Sequence, residues 1–185
     1  MYDLKSIKTG EEFELLCEDL LRAKGLDIQS RPSRGPDGGA DMIVGMIETD
    51  GLGFRQESRI LIECKHFAHS GRSVRESDIG SIIERTIRHN CNKYLLITST
   101  LPSTSVSQQL RAISQNPSIN ISAAVWAAND LQELLTQYPA VVQNHLTPKE
   151  KSQVTKTEVN LPKVGWVVNN GHQTFHPATA FLKKF

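Results

Sequence analysis

The second half of the chain alternates between apolar residues at helical spacing and short continuous apolar runs. Residues 94–98 and 119–126 are runs of strand length. Three helical stripes flank these runs, and they consist of Ile79, Ile82, Ile83, Thr86 and Ile87, then of Val106, Leu110 and Ile113, and finally of Leu131, Leu134 and Leu135. Strands that alternate with helices predict an α/β domain whose central sheet is partly parallel.

The first half of the chain predicts one helix, followed by a short extended segment and a hairpin. A capping box that begins at Thr9 predicts the helix over residues 10–24. Residues 40–48 and 59–65 are rich in Ile, Val and Leu, and turn-forming residues at 49–53 separate them. This pattern is typical of two antiparallel strands. The complete pattern therefore predicts a mixed central sheet flanked by helices.

The composition changes near residue 145, which predicts the end of the folded domain. We expect residues 1–145 to form that domain and residues 146–163 to be a polar linker. Residues 164–185 would form a short extension with a hairpin turn at 169–172. This last segment is too short to be an independent domain.

Charge and hydropathy exclude several classes of function. The chain has 21 basic and 20 acidic side chains, so it has no overall field that attracts nucleic acid or an anionic membrane. Binding to a polyanion must therefore come from local clusters. A membrane span needs about 18 consecutive apolar residues, and the sequence has no such run. The N-terminal residues also lack the pattern of a leader, so we expect a cytoplasmic protein with no membrane partner.

The three cysteines stand far apart in the sequence and include no Cys-x-x-Cys pair. They are Cys17, Cys64 and Cys91. This spacing favours neither a zinc site nor a disulfide framework. We interpret all three as small buried apolar residues.

The second strand of the predicted hairpin carries two opposite charges on one face. Because side chains alternate along a strand, Ile60, Ile62 and Cys64 share one face, and Glu63 and Lys65 share the other. The alternative interpretation is a solvated ion pair on an edge strand, which contributes little to stability and nothing to function.

The first strand of the hairpin would bring a second carboxylate to the same place. A turn centred between Leu52 and Gly53 sets Asp41 opposite Lys65, within about one residue. Asp41 and Glu63 would then meet at the open end of the hairpin. Two carboxylates a few ångström apart repel each other unless a hard cation such as Mg²⁺ neutralises them. The sequence therefore predicts a magnesium site.

Such a site has the chemistry for phosphodiester hydrolysis. Bound Mg²⁺ would polarise the phosphodiester and lower the pKa of a coordinated water. The Lys65 ammonium would orient that water or stabilise negative charge on the phosphorane. Glu14 lies beside the apolar stripe of the first helix, so it is either a third carboxylate near the metal or an ordinary solvent-facing side chain.

Three short motifs follow one another along the chain. They are Gly10-x-x-Phe13-Glu14, Pro36-Asp37-Gly38-Gly39-Ala40-Asp41 and Glu63-Cys64-Lys65. Together they resemble the PD-(D/E)xK nuclease superfamily, in particular its Mrr-like restriction endonuclease branch, over roughly the first three quarters of the chain. The resemblance implies a restriction-endonuclease-like core that cleaves DNA with Mg²⁺, or with Mn²⁺ in its place. It also implies that Asp41, Glu63 and Glu14 are metal ligands and that Lys65 orients water or stabilises charge.

Two aspartates compete for the acidic position of the second motif. Asp37 directly follows Pro36, whereas Asp41 occupies the last position of the Asp-Gly-Gly-x-Asp pattern. We prefer Asp41 because it enters the predicted strand, and we interpret Asp37 and the glycines as a plain turn. The glycine cluster is not a Gly-x-x-x-x-Gly-Lys-Ser/Thr phosphate loop, which excludes a nucleoside triphosphatase of that type.

Basic residues flank both hairpin strands at the expected mouth of the site. Arg34 precedes the first strand, and His66, His69, Arg72 and Arg75 follow the second. They are candidates for contacts to nucleic-acid phosphates, which position a backbone without reading its sequence. The alternative is that they are solvated loop residues.

Two hypotheses of function follow. In the first, the chain is a Mg²⁺-dependent endonuclease, and by resemblance a restriction or anti-phage effector domain. Cleavage of both DNA strands would need a homodimer or clustering in a larger assembly, and a fused sensor or ATPase module is expected if the chain is part of a longer protein. In the second, it is a non-catalytic module that retains the fold and binds nucleic acid or docks a partner.

Overall fold

The computed structural model describes residues 1–30 and 41–146, all within the compact unit Met1–Pro148. The strands are β1 (Asp27–Ser30), β2 (Met42–Thr49), β3 (Arg55–Lys65), β4 (Lys93–Thr98) and β5 (Ser122–Trp126). The α-helices are α1 (Gly10–Ala23), α2 (Ile82–Arg88), α3 (Thr104–Gln115), α4 (Ala128–Gln137) and α5 (Pro139–His145). Among the described residues, every helix is too short or too polar to span a bilayer. Apart from Leu146, the predicted linker (146–163) and extension (164–185) lie outside the described residues.

The described strands form one mixed sheet in the order β1-β2-β3-β4-β5. β2 is antiparallel to both β1 and β3, whereas β4 is parallel to both β3 and β5. α2 connects β3 to β4, and α3 connects β4 to β5. Parallel neighbours need such crossover helices, whereas an antiparallel pair needs only a turn. The predicted α/β fold, with a mixed sheet flanked by helices, is confirmed.

Helices cover both faces of the sheet and divide the core into two layers. α1, α4 and α5 contribute to one layer, which includes Ile60, Ile62 and Cys64 of β3. α2 and α3 contribute to the other layer, which includes Leu61. The two-residue period of a strand places Glu63 on the same side as Leu61. A strand covered on both faces is normally apolar throughout, so a buried Glu63 is the exception in β3.

α1 begins and ends where its sequence specifies. The Thr9 hydroxyl accepts a hydrogen bond from the Glu12 N–H at 3.1 Å, and the Glu12 carboxylate accepts one from the Lys8 N–H at 2.7 Å. The first bond satisfies a backbone donor that the first helical turn leaves unpaired, and the second holds the residue before the cap against the helix. Gly25 follows the helix with a φ of +80°, a conformation that glycine adopts without strain. The predicted helix over residues 10–24 agrees with the observed one within a residue.

The hairpin between β2 and β3 has a different register from the predicted one. Its turn is centred on Leu52, because the Asp50 N–H donates to the Phe54 carbonyl oxygen at 2.9 Å. The Asp50 carboxylate also accepts hydrogen bonds from the N–H groups of Leu52 and Phe54. Met42 consequently pairs with Ile62. The Asp41 N–H donates to the carbonyl oxygen of the same Ile62, so the predicted pairing of Asp41 with Lys65 is wrong.

The sequence patterns were less accurate at α2 and at the end of the described chain. Ile79 is buried before α2 begins, and Ile87 is 62% exposed although it belonged to the predicted apolar stripe. The helix is therefore shorter than its stripe. α5 was not predicted; it has Pro139 in its first turn, where the missing N–H of proline costs no intrahelical bond.

Candidate active site

Asp41, Glu63 and Lys65 lie together at the open end of the β2–β3 hairpin. Asp41 immediately precedes β2, and Glu63 and Lys65 belong to the last three residues of β3. The Asp41 N–H donates to the Ile62 carbonyl oxygen at 2.9 Å, so the two strands are still paired at this point. The structure thus brings these three sequence-predicted residues to one place.

Glu63 is buried and held by three donors. Its Oε2 atom accepts hydrogen bonds from Arg85 Nη2 at 2.5 Å and from Tyr94 Oη at 2.6 Å. Its Oε1 atom lies 3.0 Å from Lys65 Nζ. The side chain of Glu63 is 3% exposed and that of Arg85 is 9% exposed, whereas that of Lys65 is 27% exposed. One carboxylate therefore binds two cations, of which only Lys65 reaches solvent appreciably.

Asp41, which immediately precedes the neighbouring strand β2, has a different environment. Its Oδ2 atom accepts a hydrogen bond from the backbone N–H of Cys64 at 2.5 Å. Burial and the nearby carboxylates of Glu14 and Glu63 together raise the pKa of Asp41 from 3.8 to about 6, although the Cys64 N–H and Lys65 act to lower it. Asp41 therefore carries a negative charge that its surroundings oppose.

Glu14 extends toward this site from α1. Its side chain is half-buried, and its charge is close enough to raise the pKa values of both Asp41 and Cys64. The structure thus places Glu14 near Asp41. The other predicted aspartate, Asp37, lies outside the described residues, as does Arg34.

The donor chemistry of the site fits a hard divalent cation. Asp41 and Glu63 offer carboxylate oxygens, which Mg²⁺ prefers, and the electrostatic opposition to the Asp41 charge would be relieved by a cation beside it. Residues 1–30 and 41–146 contain no group of three or more His, Cys, Asp or Glu side chains arranged to hold a metal ion. Mg²⁺ commonly keeps several waters and takes only one or two protein carboxylates, so the pair is sufficient for it.

Most of the basic residues predicted for phosphate contact have partners within the protein. The Nε2 atoms of His66 and His69 lie 2.9 and 2.7 Å from the carbonyl oxygen of Ile7. Arg72 forms two hydrogen bonds with Asp78, which hold the pKa of that carboxyl at about 2, and its guanidinium lies over the Phe67 ring.

Because of these internal contacts, His66 and His69 have a structural role, and Arg75 differs from them. The two histidines tie the segment after β3 to the N-terminal residues, and burial lowers the pKa of His66. Arg75 has an exposed side chain, so it is a stronger candidate for a phosphate contact than His66, His69 or Arg72.

The three cysteines are free and buried, as the sequence predicted. The pKa of the Cys64 thiol is raised, mainly by its hydrogen bond with the Cys17 thiol and also by burial. A thiol that is harder to ionise is a poor nucleophile and a poor metal ligand at neutral pH. Cys64 thus contributes to the site through its backbone N–H.

The sequence patterns did not identify two residues of the site, Arg85 and Tyr94. Arg85 interrupts the apolar stripe of α2 and is nevertheless buried. Tyr94 was included in a buried apolar run, although a buried hydroxyl needs a hydrogen-bond partner. These two polar groups within apolar elements were the available signal, but the sequence does not show which carboxylate they contact.

Comparison with known proteins agrees with the motifs. The family model Mrr_cat, described as restriction endonuclease, matches residues 6–135, well over half of the chain. No curated protein matches. A solved structure with a similar fold is that of the MspJI restriction endonuclease in complex with a 27-mer oligonucleotide, with a TM-score of 0.50 and 16% sequence identity.

The similarity to that structure covers 76% of this chain and 29% of the other chain. The chain therefore spans less than a third of the length of MspJI, and at this identity the likeness concerns the fold. The family model carries the assignment, since it covers the helix with Glu14, both hairpin strands and the parallel half of the sheet. The chain belongs to the Mrr family of restriction endonuclease catalytic domains.

Proposed function

We propose that the chain is a divalent-metal-dependent endonuclease that hydrolyses phosphodiester bonds in DNA. The observation that carries this proposal is the convergence of Asp41, Glu63 and Lys65 at the end of one hairpin, with the pKa of Asp41 raised to about 6. Family membership supports the reaction class. The oligonucleotide in the MspJI complex supports DNA as the substrate class by analogy of fold.

In this proposal the acidic residues of the site bind the metal ion. Asp41 and Glu63 would hold Mg²⁺, or Mn²⁺ in its place, with Glu14 close enough to assist through a bound water. When bound, the cation supplies Lewis-acid polarisation of the phosphate and a more acidic water. Asp41 must be ionised to serve as a ligand, so a proton competes with the metal and the affinity for Mg²⁺ should weaken as the pH falls below about 6.

Lys65 supplies the positive charge that the reaction needs near the phosphate. Its Nζ atom lies 3.0 Å from Glu63 Oε1, and its side chain is partly exposed. The Glu63 contact limits the positions that a flexible lysine can occupy. Lys65 can thus donate a hydrogen bond to the attacking water or to the phosphorane oxygens, where charge develops in the transition state.

The biological setting is part of the same proposal. We place the domain in the cytoplasm, in restriction or defence against foreign DNA, as one part (residues 1–145) of a longer protein with a sensor or ATPase module. Cleavage of both strands would require a second copy or a cluster of sites. The linker at 146–163 and the extension at 164–185 would serve the connection to such an assembly.

A plasmid cleavage assay tests the proposed function. The wild-type chain should cut DNA with Mg²⁺ or Mn²⁺ and lose this activity in EDTA. Asp41→Asn and Lys65→Ala should each reduce cleavage on the order of 10²–10³-fold or more. The control variants Asp27→Asn and Lys5→Ala change exposed residues of the same types and should cut normally. Full activity in both site variants would contradict the proposal.

A second candidate function is a non-catalytic module that binds nucleic acid or docks a partner. Two observations favour it: Glu63 is already bound by two cations, and no cluster of three ligands occurs within the described residues. This module would bind DNA without forming any product across a titration with Mg²⁺, Mn²⁺ and other divalent ions. An endonuclease would form product with a saturable dependence on metal concentration.

A further inference from the structure

We propose that Arg85 and Tyr94 are positioning residues that fix the Glu63 carboxylate for its role in the metal site. This inference rests on the proposed function and deepens it. Both residues bind the same oxygen, Oε2, and the other oxygen, Oε1, lies beside Lys65. Neither Arg85 nor Tyr94 would contact the metal or the DNA.

The two anchoring donors come from two different structural elements. Arg85 belongs to α2, and Tyr94 lies in β4, one strand away from Glu63. A carboxylate held by one donor can still rotate, whereas two donors from separate directions restrict both its rotation and its displacement. With Oε2 occupied in this way, Oε1 is the oxygen turned toward Lys65. Glu63 is therefore presented to the site in one orientation.

The surroundings of Arg85 support a role beyond stability. Its side chain is 9% exposed and belongs to a helix whose buried neighbour Ile82 packs in an apolar layer with Leu61 and Leu96. A buried ion pair loses much of its Coulomb energy to desolvation, and apolar residues of similar volume often stabilise a fold as well or better. The need to hold the Glu63 carboxylate in one orientation explains why a charge is kept in this layer despite that cost.

The competing explanation is that Arg85 only attaches α2 to the sheet. Its guanidinium also donates to the Ser81 carbonyl oxygen at the start of the same helix. A purely structural arginine would affect folding but not the metal affinity of the folded protein. A positioning arginine would change metal affinity even in variants that fold fully. Metal binding by folded variants therefore separates the two explanations.

The test is calorimetric titration of the full chain with Mn²⁺ alone, without DNA. Arg85→Met should weaken Mn²⁺ binding at least about tenfold, as expected when a group that orients a metal ligand is removed. Tyr94→Phe removes one donor and should cause a smaller loss, and Arg85→Lys should lie between Arg85→Met and wild type. The matched control is Arg88→Met on the same helix, whose partner Glu84 is exposed. It should bind Mn²⁺ like wild type.

The folded fraction of every variant is measured by circular dichroism before titration. If Arg85→Met does not fold, Tyr94→Phe and Arg85→Lys carry the test. Folded variants of Arg85 and Tyr94 that bind Mn²⁺ as tightly as wild type would overturn the inference, and so would a wild-type protein that binds no Mn²⁺. A wild-type protein that binds Mn²⁺ but cuts no DNA would overturn the proposed function instead, while the titration still decides the role of Arg85.

Discussion

Asp41 and Glu63 lie at the same end of the β2–β3 hairpin, yet their surroundings differ. Glu63 is buried among Arg85, Tyr94 and Lys65. Among the described residues, Asp41 receives one backbone hydrogen bond from Cys64, and its other electrostatic neighbours include the carboxylates of Glu14 and Glu63. Within the described residues, the charge of Glu63 is paired with Arg85 and Lys65, whereas burial and two carboxylates oppose the charge of Asp41 more than the Cys64 N–H and Lys65 favour it.

Because of this difference, we expect the two carboxylates to have different roles in stability and function. A compensated charge contributes to the fold because its partners would be left unpaired without it. An opposed charge costs folding energy and is relieved when a cation binds, which is a common compromise at functional sites. Glu63 should therefore matter for both stability and function, and Asp41 for function at the expense of stability.

The largest expected effect is a loss of folding stability when the charge of Glu63 is removed. Glu63→Gln leaves the buried Arg85 guanidinium without its counter-charge and should lower the free energy of unfolding by about 3 kcal/mol. The measurement is urea denaturation in EDTA. Glu84→Gln, in an exposed pair with Arg88, should have almost no effect. A Glu63→Gln protein as stable as its parent would show that the pair with Arg85 is not important for folding.

The second effect is a gain of folding stability when the charge of Asp41 is removed, and this gain depends on pH. The pKa of Asp41 is raised from 3.8 to about 6 in the fold, so folding is favoured by its protonated form. The corresponding contribution is fully present below pH 4 and is lost as the pH rises through about 6. Asp41→Asn should therefore stabilise the metal-free protein above pH 7, on the order of 1–3 kcal/mol.

The gain from Asp41→Asn should disappear at pH 4, where the wild-type carboxyl is also neutral. Thermal unfolding in EDTA at pH 4 and at pH 8 measures both values. Asp27→Asn on the exposed surface of β1 is the control, and it should show no such difference between the two pH values. If Asp41→Asn destabilises the protein at pH 8, then the Asp41 charge is compensated in the fold and the contrast with Glu63 fails.

The smallest effect concerns the basic residues at the same end of the sheet. Arg72 is already bound to Asp78, whereas Arg75 is exposed. Arg75→Ala should weaken DNA binding slightly and reduce the slope of log affinity against log salt by about 1. Arg72→Ala should change that slope less. Fluorescence anisotropy in EDTA measures both, and equal slopes for wild type and Arg75→Ala would exclude a phosphate contact.

The sequence was sufficient to predict the elements that carry the site, for a physical reason. The alternation of side chains in β3 identified the shared face of Glu63 and Lys65, and the turn residues identified the hairpin that brings Asp41 to them. The register was wrong because Asp50 closes a turn centred on Leu52, and hydrogen bonds within a turn are not visible in residue types alone.

The anchors of Glu63 could not be predicted from the sequence. Arg85 and Tyr94 are 22 and 31 residues from Glu63 in the chain, and they meet it only because α2 crosses over the sheet between β3 and β4. Local patterns specify helices and strands, whereas a contact of this kind depends on how the crossover packs. The contrast between the two carboxylates was therefore visible only in the folded structure.

The most direct test of the account is anomalous diffraction from crystals of the wild-type chain soaked in Mn²⁺. One strong anomalous peak is expected at about 2.0–2.3 Å from oxygen atoms of both Asp41 and Glu63, since carboxylates bind such cations at short distances. Glu63 should keep its bonds to Arg85 and Tyr94 in that crystal. Well-ordered side chains with no peak between the two carboxylates, or a peak bound only elsewhere on the protein, would contradict it.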